Sequence, residues 1–145
     1  MHLFISAGEP SGDLHGANLI RELRTLDPSV RIAGFGGERM SAAGATLLYP
    51  LCNHSVMWLL DVVKQIFTFM RLLNEAQQYF REQKPDLVIM IDYPGFHWKL
   101  AQRAKAEGIP VIYFVPPQIW AWAQWRVKKM RRLVNLVLSA LPFEH

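Results

Sequence analysis

The 145-residue chain is 51% hydrophobic and 19% charged, with 9 Gly, 9 Pro and a single cysteine. That length holds one ordinary domain rather than two, its apolar and aromatic content excludes a disordered chain, and the lone Cys52 excludes a disulfide framework or a Cys-based zinc cage. The net charge of +4 is local: Arg126, Lys128, Lys129, Arg131 and Arg132 sit in the acid-free run RVKKMRR, and the 11 basic residues elsewhere face 12 acidic ones. Such a patch suits phosphate groups or an anionic membrane surface.

In chain order, Leu3–Ala7 (LFISA) reads as a buried strand, then a Gly/Pro/Ser turn and a helix from about Asp13 to Leu26. Val30–Phe35 is a second strand, followed by a short helix at Arg39–Ala43 and a brief strand at Thr46–Tyr49. Val56–Gln83 reads as a long or broken helix, Asp86–Asp92 as a strongly apolar strand, Gly95–Glu107 as a helix and Pro110–Val115 as a strand. Trp120–Arg132 is helical, and Val134–Ala140 forms a sixth strand. Strands apolar on both faces and separated by helices predict an α/β fold, a doubly wound Rossmann-like parallel sheet spanning residues 1–145. Gly8, Glu9 and Pro10 end the first apolar run too early for a secretory signal, which with the free thiol points to the cytoplasm. No run reaches the ~18 apolar residues of a spanning helix.

In such sheets ligands sit beyond the carboxyl ends of the strands, which singles out Gly8–Gly16, Asp92–His97 and Val115–Trp122. The first, GEPSGDLHG, places Gly8, Gly12 and Gly16 at a helix start, where backbone N–H groups can approach an anion. It matches neither a Walker A loop nor GxGxxG, and a tight βα turn with Ser11 or Asp13 as cap explains it equally. Glu9 would repel a phosphate and suits a hydroxyl-bearing ligand such as a sugar. Gly34, Gly36 and Gly37 read as a plain turn. Asp92 follows five apolar residues and precedes the turn-forming Pro94-Gly95, so its carboxylate can serve as a general base or as a helix cap. His97 is a second titratable group there, or a surface or capping histidine.

The run from Val56 to Leu73 (VMWLLDVVKQIFTFMRLL) is apolar at 13 of 18 positions, and its polar residues Asp61, Lys64, Gln65, Thr68 and Arg71 form one narrow stripe. The apolar arc is far wider than a surface helix needs. The protein's own core, a partner subunit or a bilayer surface could cover it, and the nearby cations favour the bilayer over a subunit. Trp120, Trp122 and Trp125 directly precede those cations, a pairing found at membrane interfaces and sugar sites as well as in ordinary packing. No nucleic-acid-binding pattern is present.

Five segments together, GEPSGDLHGANLIREL, GFGGERMSAAG, VMWLLDVV, KPDLVIMIDYPGFHWKLA and PPQIWAWAQWRVKKMRRLVNLVLSALPFE, resemble the lipid-A-disaccharide synthase family of bacterial glycosyltransferases, in its order and over essentially the whole chain. The resemblance implies one Rossmann-like half of a GT-B enzyme. That enzyme joins UDP-2,3-diacylglucosamine to 2,3-diacylglucosamine 1-phosphate through a β-1,6 linkage, with inversion and release of UDP. It implies that Asp92, in the family's IDxPxF motif, is the base, and that Glu9, in GExSGD, orients a sugar. Gly8, Ser11, Gly12, Asp13, His97, Trp120 and Trp122 would contact substrate, with no metal or cofactor and no nucleic-acid partner.

The same resemblance implies that Trp58, Leu59, Leu60, Val62, Val63, Ile66, Phe67, Phe69 and Met70 meet acyl chains at the inner membrane. Arg126, Lys128, Lys129, Arg131 and Arg132 would then meet headgroups or the acceptor phosphate of a peripheral cytoplasmic enzyme. The chain departs from the family at His97, where Asn is usual, and at Trp58, where a small residue is usual. It ends at PFEH where the family continues into a UDP-sugar-binding domain, so the chain alone is expected to be inactive, or to need a separately encoded second half. A non-catalytic, membrane-associated binding module is the alternative.

Overall fold

A computed structural model describes residues 1–54, 62–116 and 124–139. The described elements are β1 (His2–Ala7), α1 (Pro10–Leu26), β2 (Arg31–Phe35), α2 (Glu38–Ala42), β3 (Thr46–Tyr49), a 3₁₀ turn (Leu51–His54), α3 (Val62–Gln83), β4 (Leu87–Ile91), α4 (Pro94–Ala106), β5 (Val111–Phe114), α5 (Gln124–Leu133) and β6 (Leu136–Leu138). The strands form one sheet in the order β3-β2-β1-β4-β5-β6, and every pairing is parallel. The expected doubly wound sheet is therefore present.

The pleat divides each apolar strand between two cores. Leu3, Ile5, Ile32, Ile89 and Ile91 point to one side and pack with Ala17 and Ile20 of α1 and Met40 of α2. Phe4, Phe35, Val88, Met90 and Tyr113 point to the other and meet Leu72 and Phe80 of α3, Leu100 of α4 and Leu133 of α5. On this second side Phe4 meets Phe80 and Phe35 edge-to-face, with ring centres 5.0 and 5.4 Å apart, the geometry aromatic quadrupoles prefer.

Helix α1 begins three residues before the expected start, because Pro10 at its first turn is pre-set for the helical φ and Glu9 takes the cap position. Neither Ser11 nor Asp13 caps it. Its inward face, Gly12, Asp13, Gly16, Ala17 and Ile20, is nearly all small, which lets the helix lie close to the sheet. A Cβ on Gly16 or on Gly36 would fall 2.7 or 2.5 Å from Met40 Sδ, so these glycines leave the notch that Met40 fills. Asp13 reaches across to α2: its carboxylate accepts hydrogen bonds from the backbone N–H groups of Gly37 (2.8 Å), Arg39 (3.1 Å) and Met40 (3.1 Å). A five-residue helix cannot satisfy its own first donors, and α1 supplies the missing acceptor.

The sixth strand differs from expectation. Leu136, Val137 and Leu138 are all exposed, because β6 is the sheet edge and no described helix covers it.

Replacing Asp13 by alanine would strand these donors in a buried setting. Asp13→Ala is expected to lower unfolding free energy by about 3 kcal/mol, and Asp13→Asn by less, as read from urea denaturation.

Candidate functional site

The strand order reverses between β1 and β4, so the loops leaving these two neighbours diverge to opposite faces and open a crevice at the carboxyl edge. Ala7 pairs with Ile91, which sets Gly8-Glu9 beside Asp92-Tyr93. The two carboxylates singled out in the sequence, Glu9 and Asp92, thus follow adjacent strands at the switch point. Glu9 is exposed, whereas Asp92 is half-buried.

The glycines of the first turn are occupied by packing. A Cβ on Gly8 would lie 2.1 Å from the Tyr93 ring, and one on Gly12 would lie 3.2 Å from Ala7 Cβ and 3.5 Å from the Ile91 carbonyl. Their role is close approach between chain segments. Ser11 is exposed at the same edge, while Asp13, expected among the substrate contacts, has its carboxylate turned inward onto α2. Cys52, from the 3₁₀ turn, directs its thiol to the carbonyls of Ala7 (3.3 Å) and Glu9 (3.4 Å) and so steadies the start of the loop. Burial, helped by the nearby Asp13 and Glu9 carboxylates, pushes the thiol up to about 12, which keeps it protonated.

The β4–α4 connection is the most constrained part of the site. Asp92 and Tyr93 both adopt left-handed backbone conformations (φ 52° and 53°), as does Val115 after the neighbouring β5 (φ 50°). Left-handed geometry costs roughly 1–2 kcal/mol for a residue with a Cβ, so surrounding contacts must hold it. Two contacts converge on the Asp92 carbonyl: Tyr113 Oη donates to it at 2.8 Å and His97 Nδ1 at 2.5 Å. His97 Nε2 pairs with Ser6 Oγ at 2.8 Å.

His97 is therefore neither a surface nor a ligand-facing histidine: its exposure is 0%. Burial lowers its pKa to about 4, against a smaller opposing effect of the Asp92 carbonyl. Ser6 is equally enclosed, so the Ser-His-Asp sequence of contacts is no hydrolytic triad; the contact to Asp92 is through its backbone and no substrate reaches Ser6. Burial, reinforced by Glu9 and Cys52 for Tyr93 and by Asp92 for Tyr113, holds both phenols well above their ordinary range.

Sequence reading missed Ser6, Tyr93, Tyr113 and Cys52. A hydroxyl inside the otherwise apolar strand LFISA was the available signal for Ser6; nothing in the sequence pairs it with His97, 91 positions away.

Of the apolar positions assigned to acyl chains, Val63, Ile66, Phe67 and Met70 are exposed along one face of α3, near the carboxyl edge. Phe69 turns inward onto Tyr93 and Phe96. Trp58, Leu59, Leu60, Trp120 and Trp122, and the side chains of Val62 and Arg126, lie outside the described residues. Lys128, Lys129 and Arg132 line a groove of about 630 Å³ with Gln102 and Lys105 of α4, and Arg131 is exposed beside it. Because α4 and α5 run back from the carboxyl edge, this groove lies toward the opposite edge of the sheet, away from Asp92.

A histidine held neutral in the folded state but free to charge when unfolded favours folding above pH 6.5, and that contribution is lost as pH falls toward 4. Between pH 7.5 and 5 the loss attributable to His97 is expected to be about 2 kcal/mol. Comparing urea midpoints of wild type and His97→Asn at both pH values checks it, the variant showing the shallower decline.

A family model described as lipid-A-disaccharide synthetase matches residues 3–145. The lipid-A-disaccharide synthase of Coxiella burnetii (strain Dugway 5J108-111) is 41% identical over 142 residues, 98% of this chain and 38% of that protein. That of Trichlorobacter lovleyi is 42% identical over 142 residues, 98% of this chain and 37% of that protein. The chain thus spans little more than a third of the length of the curated relatives it matches. Among solved structures, MurG of Acinetobacter baumannii aligns with a TM-score of 0.64 at 14% identity, covering 99% of this chain and 42% of that one. The UDP-GlcNAc 2-epimerase of Neisseria meningitidis, solved with UDP-GlcNAc bound, aligns with a TM-score of 0.66 at 14% identity, covering 96% and 40%. At such identities the likeness establishes the fold alone, a Rossmann-like parallel α/β sheet. The sequence matches establish the family: the chain belongs to the lipid-A-disaccharide synthetases.

Proposed function

We propose that this domain is the acceptor-side half of a glycosyltransferase that joins UDP-2,3-diacylglucosamine to 2,3-diacylglucosamine 1-phosphate. The observation that carries the reading is the placement of Asp92 and Glu9 at the ends of adjacent strands, where the sheet order reverses. In the proposed reaction the Asp92 carboxylate takes the proton of the acceptor 6-hydroxyl as that oxygen attacks the donor's anomeric carbon. The new C–O bond forms on the face opposite the breaking bond to UDP, so an α-linked donor yields a β-linked disaccharide. Glu9, exposed across the crevice, holds sugar hydroxyls. UDP would leave toward a second domain that supplies most of the donor contacts, so this chain alone turns over poorly.

The acceptor is a lipid, and the exposed stripe of α3 supports a peripheral seat on the inner, cytoplasmic membrane face. Val63 (61% exposed), Ile66 (57%), Phe67 (72%) and Met70 (47%) recur at helical spacing with no described residue covering them. No described helix is long and apolar enough to cross a membrane. Insertion would be shallow, with the cations of α5 meeting anionic headgroups rather than the reacting sugar.

A radiolabelled sugar-transfer assay, run with this chain and a separately expressed C-terminal portion of a relative, tests the chemistry. Asp92→Asn is expected to lower kcat by roughly 10²–10⁴-fold with little change in KM, the loss of a general base. Full activity of Asp92→Asn, or an inactive wild-type pair, leaves the non-catalytic binding module as the better account. For the membrane seat, the triple change Val63→Ser, Ile66→Ser, Phe67→Ser is expected to reduce cosedimentation with anionic liposomes at least about tenfold, given about 25 cal/mol per Å² of lost apolar burial. Unchanged liposome binding would sink that part.

A further inference from the structure

Histidine 97 is a costly way to fill space. It lies wholly enclosed among the rings of Tyr93, Phe96 and Tyr113, with centres 5.9, 5.9 and 6.2 Å away, where an apolar side chain would meet no desolvation penalty. Both of its ring nitrogens are engaged, and the two partners differ in kind. A carbonyl oxygen can only accept, so Nδ1 must carry the proton and donate to Asp92; Nε2 must then accept from the Ser6 hydroxyl. The tautomer is dictated from both ends.

We propose that His97 is a positioning residue for Asp92: anchored on Ser6 of β1, it clamps the Asp92 carbonyl and thereby aims the Asp92 carboxylate into the crevice. This rests on the reading of Asp92 as the base. The geometry follows from what holds each side of the Asp92 Cα. Its amide side continues the β4 ladder, whose Ile91 pairs with Ala7 and Phe114. Its carbonyl side is gripped by His97 from α4 and Tyr113 from β5. With both flanking peptide planes fixed, the Cα–Cβ direction is fixed, although the left-handed backbone would relax if released. The link runs through Nδ1 alone, and Asn at position 97 carries an N–H donor at the same distance from the backbone. Asn can therefore keep the clamp and lose only Ser6, whereas Gln reaches toward Ser6 and loses the clamp.

That asymmetry is the test, because overall size and polarity favour neither variant. In the two-component transfer assay, His97→Gln is expected to lower kcat about 30–100-fold with KM changed less than about threefold, and His97→Asn to recover most of that loss. Nitrogen-15 spectra of this chain are expected to show the Nδ1–H tautomer. The Asp92 and Tyr93 backbone shifts should stay near wild type in His97→Asn and move in His97→Gln. An Nε2–H tautomer, or equal kcat in the two variants at equal folded fraction, would overturn the role. Asp92→Asn run alongside separates the failures. If it is inactive while His97→Gln is fully active, the clamp alone is wrong; if it is active, the base reading falls and the positioning role falls with it.

Discussion

The parallel pairing of β1 with β4 is the constraint from which the rest of the site descends. Two strands far apart in sequence become neighbours only because β3 returns, by way of the long helix α3, to the other side of β1. Right-handed crossovers then send α1 to one face and α4 to the other. The register that puts Ala7 opposite Ile91 determines that the Tyr93 ring lies on Gly8, that Ser6 comes within reach of His97, and that Glu9 and Asp92 follow adjacent strand ends. A shift of one residue in that register would point Ser6 into the α1 core and leave His97 a buried imidazole with half its partners.

Backbone strain and buried polarity coincide in this molecule. Among the described residues, three of the four non-glycine positions with positive φ follow β4 or β5 at the carboxyl edge. The polar groups enclosed there, Ser6, His97 and the Tyr113 hydroxyl, form one chain of hydrogen bonds ending on the strained carbonyl of Asp92. Burial makes each bond less replaceable, because water cannot substitute for a lost partner. The opposite half of the site is held differently, by glycine packing, by the Asp13 clamp on α2 and by the Cys52 thiol. One side is a polar lock and the other a close-packed junction between helix and sheet.

Charge and hydrophobicity are also separated in space. The exposed stripe of α3 lies toward the carboxyl edge, whereas the cations of α5 gather with Lys105 in a groove toward the other edge. All belong to the same helical layer. The two features share a surface without sharing a site.

Much of the fold was legible in the residues alone. Short apolar runs on both faces, alternating with helical stretches, can be buried only in a parallel sheet covered on two sides, and the boundaries expected for β3 are those found. Asp92 and Glu9 were visible as polar residues terminating apolar strands. Tertiary structure decided what local pattern cannot carry. Asp13 looks like a cap for its own helix but serves another, since the donors it satisfies belong to a segment more than twenty residues away. His97 looks like a surface group because it follows a turn, yet it is wholly enclosed, because the partner that makes its burial tolerable is a serine on a different strand, itself just as buried. β6 looks like a core strand, but its place at the edge leaves it exposed. Period and composition report which residues want burial, whereas which polar groups can afford it depends on partners that only the folded chain brings together.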